Sequence, residues 1–285
     1  MAEWLKAPVS KTGIGSWSIE GSNPSLSANL KEINMLETAI AAASAAGKLL
    51  KQNFGTTLDV NAATHHDIKL ALDEQAQALI TRVILADFPD HCILGEEAVT
   101  GNQQADVRWV VDPLDGTVNY FYNIPHYAVS IAAQQRVGDQ WETVAGVVLD
   151  PERDELFTGA KGQLPALNSQ PIQVSDRAEP SQAIVSIGFF KNEETIRKSL
   201  VNFQNLIGRV RKMRLMGAAA LDVAYVACGR YDAYVEYGIK LWDICAGQLI
   251  LELAGGQVTS APTGEAHTLN VRMWNGKLPV EALLQ

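Results

Sequence analysis

Basic residues are in short supply in this chain. Its 23 lysines and arginines face 32 aspartates and glutamates, a formal net charge of −9 with the five histidines neutral. Such a balance argues against a nucleic-acid-binding surface. It leaves room for an anionic small molecule, because clustered carboxylates hold divalent cations and those cations hold phosphate. Cysteine is scarcer still. Cys92, Cys228 and Cys245 are odd in number and far apart, and no CxxC pair occurs. That argues against a disulfide framework, and three reduced, mostly buried thiols in a cytoplasmic protein are expected. No apolar run reaches membrane-spanning length, and the first residues lack the layout of a secretory signal. Beyond Met35 there is no internal repeat and no low-complexity segment.

What is present is core material. Of 285 residues, 47% are hydrophobic, enough for one large domain or two intimately packed ones. Residues 1–34 stand apart. They are rich in Ser, Gly and Asn, show no sustained period, and carry three acidic and three basic residues, so the whole charge excess lies in Met35–Gln285. Gly21-Ser22-Asn23-Pro24 is what the T-arm of a tRNA gene would encode, and Met1–Lys6 resembles a frame through the front of a serine-type tRNA gene. This segment is expected to be a misread leader, with translation starting at Met35; a disordered natural leader is the alternative. It is assigned no fold.

From Met35 onward the pattern predicts a helix over Leu36–Phe54 and a second over Ile68–Asp87, capped by Asp67. Strands are expected at Cys92–Leu94, Val107–Val111, Tyr127–Gln135, Thr143–Leu149 and Glu155–Thr158, with antiparallel pairing. Strands and helices then alternate: Ala183–Ile187, Glu193–Ile207, Val210–Met213, Ala218–Ala227, Tyr231–Glu236 and Trp242–Ala254. This divides the chain into an α+β lobe over 35–177 and an α/β lobe over 178–285.

The chemistry concentrates at Trp109-Val110-Val111-Asp112-Pro113-Leu114-Asp115-Gly116-Thr117. A buried-strand run ends in two carboxylates three residues apart, then a glycine and a helix-starting threonine. Hard oxygen ligands suit Mg²⁺, and backbone N–H groups at a helix start hold phosphate. Asp-Pro and Asp-Gly are also ordinary turn signals. Gly95-Glu96-Glu97 after a strand and Trp242-Asp243 at a helix start supply further candidate ligands, and together these segments point to a phosphatase. The aspartyl-nucleophile motif Asp-x-Asp-Gly-Thr is absent, because Pro113 stands where the nucleophile would be; metal-activated water attack fits the spacing better.

These motifs, in this order, resemble the inositol monophosphatase family: Gly95-Glu96-Glu97, then Asp112-Pro113-Leu114-Asp115-Gly116-Thr117-Val118-Asn119-Tyr120, then Trp242–Gly247 with Gly255-Gly256 behind it. The resemblance covers nearly all of Met35–Gln285. It implies a layered αβαβα fold, Mg²⁺ dependence, lithium inhibition and a homodimer. By position it implies that Glu96, Asp112 and the Leu114 carbonyl hold one Mg²⁺ and that Asp112, Asp115 and Asp243 hold a second, with a weaker third near Glu96. Asp73 would accept a hydrogen bond from Thr117, and Thr117 with Glu96 would orient the attacking water. Gly116 and Thr117 N–H groups would bind phosphate. Asp115, Asp243, Gly217, Ala218, Ala219 and Glu236 would contact substrate, Glu236 through hydroxyls. The chain departs from the family at Leu70, where a threonine is usual, at Ala218, where Ser or Thr is common, and at Leu253 before Ala254-Gly255-Gly256.

Asn119-Tyr120 resembles the inositol and sugar phosphatases, so inositol-1-phosphate is the expected substrate, with histidinol phosphate and fructose-1,6-bisphosphate as alternatives. A regulatory protein-binding role is the non-enzymatic alternative. His65-His66 read as surface residues, His126 as a residue with a low chance of substrate contact, and Arg209, Arg211, Lys212 and Arg214 as solvated edge charges.

Overall fold

The computed structural model describes residues 24–63, 68–188 and 193–285. Helix α1 (Pro24–Asn53) is followed by the hairpin β1 (Val60–Ala63) and β2 (Ile68–Leu70), then α2 (Ala71–Asp87). Strands β3 (Cys92–Gly95), β4 (Val99–Gly101) and β5 (Val107–Asp115) lead into the short α3 (Thr117–Phe121). Strands β6 (Ala128–Val137), β7 (Gln140–Asp150), β8 (Glu155–Ala160), β9 (Ala166–Leu167) and β10 (Gln170–Pro171) complete the first half. The second half runs β11 (Ile184–Ile187), α4 (Glu193–Ile207), β12 (Lys212–Arg214), α5 (Ala219–Ala227), β13 (Ala233–Lys240), α6 (Leu241–Leu253), β14 (Gln257–Pro262), β15 (Thr268–Trp274) and α7 (Val280–Leu283).

Five layers result. The first sheet, ordered β10-β9-β8-β7-β6-β5-β3-β4, is antiparallel except for β3 beside β5. The second, β12-β11-β13-β15-β14, is parallel at β11 and antiparallel beyond β13. Strand alternation decides what each face meets. On β5 and β6, Trp109, Val111, Val129 and Ile131 turn toward α1 and α2, while Val110, Ala128 and Ala132 turn toward α5 and α6. On β13, Tyr234 faces that same central helix layer, and Val235 faces the outer layer, where Leu206 and Leu283 pack. Buried on both faces, β5 needs an unbroken apolar run, which the sequence shows. The order is αβαβα, as the family resemblance implies.

Several elements differ from the sequence reading. Helix α1 begins at Pro24, so residues 24–34, given no fold, form its opening turns; residues 1–23 lie outside the described residues. Ile68–Leu70 is a strand rather than helix, because it pairs with β1. Helix α2 starts one turn later, and Asp73 at its third position accepts from the Leu70 amide at 2.9 Å. The expected cap Asp67, with His65 and His66, lies outside the described residues. Strands β4, β14 and β15 have short or exposed stretches without a period and were not predicted. All three cysteines are free. Among the described residues no helix is long and apolar enough to cross a membrane.

Candidate active site

The site forms where β3, β5, β13 and α6 end or begin. Glu96 follows β3, and its amide bonds the Val111 carbonyl at 3.0 Å, which sets it beside the end of β5. Strand pairing of β5 with β6 slips between Asp112 and Asp115. The slip turns both carboxylates into one space, as a bulge re-aims side chains. Asp112 Oδ1 accepts from the Leu114 amide at 3.0 Å, which tightens the Pro113 turn. Gly116 follows with φ 91°, a left-handed conformation that suits glycine, and its carbonyl accepts from Tyr120 N at 2.9 Å to begin α3. Asp243 is the third residue of α6, and its carboxylate accepts from the Lys240 amide at 3.2 Å. Asp115 Oδ2 accepts from the Ala220 amide at 2.7 Å, which ties β5 to the start of α5.

These carboxyl groups meet. Asp112 feels the charges of Glu96, Asp115 and Asp243. Burial, reinforced by neighbouring carboxylates, raises Asp112 and Asp243 well above the usual carboxylate range. Burial pushes Glu96 and Asp115 up to about 7. Like charges this close cannot all ionise without a compensating cation. As they stand, no three His, Cys, Asp or Glu side chains among the described residues are closed up enough to hold a metal ion. Hard carboxyl oxygens gathered where they raise one another fit a divalent cation, whose binding would favour their ionised form.

Beside the cluster lies a cavity of about 370 Å³. Asp115, Gly217, Ala218, Ala219, Glu236 and Asp243, all expected from the sequence, line it. Glu236 is 7% exposed, accepts a short hydrogen bond from Tyr234 Oη, and is raised to about 7 by burial. Among the described residues no lysine or arginine lines it.

One expected contact turns out otherwise. Thr117 Oγ1 donates to the Leu114 carbonyl at 3.0 Å, not to Asp73. Asp73 sits behind Glu96, 3% exposed, with Oδ1 unpartnered and its carboxyl pushed by burial up to about 7. The extended backbone at Leu70 bonds Asp73 instead, because α2 begins there and its first amides need acceptors. His126, given a low chance of substrate contact, is 3% exposed, and its ring nitrogens have no partner among the described residues. Arg209 donates to the Leu283 and Ala282 carbonyls, and Lys212–Arg214 is an edge strand.

The sequence reading missed Asp222. It is 3% exposed, lines the cavity, accepts from Ser186 Oγ at 2.7 Å, and is raised by burial to about 8. A signal was available: it is the one charged residue in the otherwise apolar helix Ala219–Ala227. Ile187, Leu215, Met216, Tyr234 and Ile239 also line the cavity, and no local motif marks them.

The chain is similar to known proteins. The profile described as the inositol monophosphatase family matches residues 32–279. The Nus factor SuhB of Pseudomonas aeruginosa is 39% identical over 234 residues, 79% of this chain and 84% of that protein. The Nus factor SuhB of Escherichia coli K12 is 38% identical over 240 residues, 82% of this chain and 88% of that protein. Among solved structures, an inositol monophosphatase from Anabaena (Nostoc) superposes with a TM-score of 0.76 at 36% identity, covering 90% of this chain and 95% of that one. The extragenic suppressor protein suhB of Bartonella henselae gives 0.79 at 31%, covering 87% and 97%.

Proposed function

Because the chain belongs to the inositol monophosphatase family, we propose that it hydrolyses phosphomonoesters with Mg²⁺, inositol-1-phosphate foremost. The observation that carries this reading is the convergence of Glu96, Asp112, Asp115 and Asp243, from distant parts of the sequence, close enough to raise one another's carboxyl groups beside a cavity. Glu96, Asp112, the Leu114 carbonyl, Asp115 and Asp243 would hold Mg²⁺. Bound there, Mg²⁺ supplies charge neutralisation and activation of water.

The chain's own groups do the positioning. Amides of Gly116 and Thr117 bind phosphate, and the left-handed backbone at Gly116 turns them toward it. Glu96 and Thr117 orient the attacking water. Glu236, steadied by Tyr234, accepts from hydroxyls of the leaving group. Among the described residues no basic side chain lines the cavity, which favours a polyol monoester over fructose-1,6-bisphosphate and keeps histidinol phosphate, whose leaving group is cationic, as the alternative. Lithium sensitivity, a homodimer and a cytoplasmic site of action belong to the same proposal, as does the two-lobe division 35–177 and 178–285.

Phosphate release is measured with Mg²⁺ on inositol-1-phosphate, histidinol phosphate, fructose-1,6-bisphosphate and adenosine bisphosphate. Release from inositol-1-phosphate, lost on chelation, is expected; silence on all four esters overturns the reading. Relatives carrying the name Nus factor SuhB favour a second reading, a regulatory protein that docks another macromolecule. Specific recovery of transcription components in a pulldown would support it.

A further inference from the structure

Asn119 stands on α3, four residues past Asp115, and was read from the sequence only as a mark of the subfamily. Its carboxamide does unusual duty. Nδ2 donates to the His126 carbonyl at 2.9 Å, to the Met216 carbonyl at 2.8 Å, and more weakly to the Gly217 carbonyl at 3.3 Å. An amide nitrogen has two hydrogens, so the first two bonds use both and the third is shared. One side chain of the first sheet's half thus grips two consecutive carbonyls of the other half.

The gripped segment matters. Leu215, Met216 and Gly217 line the cavity together with Asp115 and Glu236. Among the described residues no other side chain bonds the Met216 or Gly217 carbonyl. Leu215 is 65% exposed, so packing holds this wall little. Gly217 has φ +77°, and a Cβ there would stand 3.3 Å from Asn119 Nδ2. From the other side, a Cβ on Gly116 would meet the Gly217 carbonyl at 3.2 Å. The two turns touch without slack.

We propose that Asn119 is a positioning residue that sets the width of the leaving-group cavity by holding the 215–217 wall against the Asp115–Thr117 turn. The proposal rests on the phosphatase reading for its kinetic consequence and on geometry alone for the clamp. Bulky polyol leaving groups use that wall, and a small one does not reach it. Loss of the clamp therefore raises KM for the bulky ester and spares kcat, since the carboxylates stay in place.

Two variants separate the clamp from general damage. Asn119→Ala removes the donors together with the bulk, and Asn119→Leu keeps the bulk without the donors. In each, KM for inositol-1-phosphate should rise about tenfold with kcat within about threefold, while KM for glycerol-2-phosphate moves less than about twofold. Amide hydrogen exchange over 215–219, measured without substrate, should speed at least tenfold relative to the helix α2 amides. Equal KM changes on both esters, or unchanged exchange over 215–219 in folded Asn119→Ala, overturns the proposal. If the wild-type protein hydrolyses neither ester, the phosphatase reading fails, and the exchange measurement still decides the clamp.

Discussion

Asp232 and Asp112 are both shut away from solvent, at 0% and 1% exposure, yet their surroundings are opposite in character. Asp232 is surrounded by donors: Arg177 Nε at 2.8 Å, the Ile184 amide at 2.7 Å, and Ser175 Oγ. Asn275 closes the knot by bonding Ser175 Oγ and the Arg177 carbonyl, both at 2.9 Å. That knot fastens the connecting segment to the second sheet. Asp112 has one backbone donor, the Leu114 amide, and otherwise faces Glu96, Asp115 and Asp243. A satisfied buried charge organises a fold; a cluster of mutually repelling ones is a cost to the fold that a cation offsets. The same residue type thus knits the fold at Asp232 and stands unsatisfied at Asp112, where the proposed chemistry lies.

The sharpest way to test that contrast is to neutralise each member. Asp112→Asn should cut phosphate release by at least about a thousandfold while the metal-free protein melts no lower than wild type, because a repelling charge is gone. A variant with near-wild-type kcat would remove Asp112 from the site. Asp232→Ala should do the reverse. Leaving Arg177 unpaired against a half-emptied knot should cost about 3–5 kcal/mol in urea unfolding, with activity per folded molecule unchanged. A loss under about 1 kcal/mol would show that the knot is ornamental.

Metal comes next in size. At a hundredfold excess over its Kd, Mg²⁺ should stabilise wild type by about 2.7 kcal/mol and Asp112→Asn by much less, read as a shift in Tm that chelation reverses. Asp232→Ala should keep the full metal response.

Proton concentration separates the regions more gently. Burial raises Asp222 to about 8 and Glu236 to about 7. An acid raised in the fold keeps its proton where the unfolded chain has lost it, so its contribution is complete below about pH 4 and drains away as pH climbs through 7 to 8. Metal-free protein should therefore lose Tm across that window, and Asp222→Asn should flatten the upper part of the decline. A Tm that rises with pH over the window would contradict the assignment.

The smallest effect concerns the flap that carries Glu96. Gln77, 4% exposed, donates to the Ala98 carbonyl and accepts from the Glu97 amide, each at 2.9 Å. Gln77→Ala should weaken Mg²⁺ binding severalfold, measured by calorimetry, and lower stability by about 1–2 kcal/mol.

Legibility differed by kind of residue. The carboxylates that need strand ends and turn chemistry stood out, because Asp-Pro, Asp-Gly and Glu-Glu are local patterns. The apolar run Trp109–Val111 of β5 was readable for the same reason. Strand β2 was not, because Ile68–Leu70 is apolar enough for a helix and only its pairing with β1 makes it extended. Strands β14 and β15 depend on β13 as a template and carry little period of their own. Thr117 and Asp73 were expected to bond because the resemblance said so, and the shorter path to the Leu114 carbonyl takes the hydroxyl here.

From its residues alone the chain marked the carboxylates proposed for the chemistry, since spacing along a strand end is a local property of covalent geometry. It marked an α+β half and an α/β half as well, while the layering came from the family resemblance. Only folding in three dimensions decided that Asp222 joins the cavity, that Leu215 and Met216 form its wall, and that Asn119 reaches across to hold them. Those facts depend on contacts between segments about a hundred residues apart. No local pattern encodes such a distance, because what sets it is the packing of two sheets against a shared layer of helices.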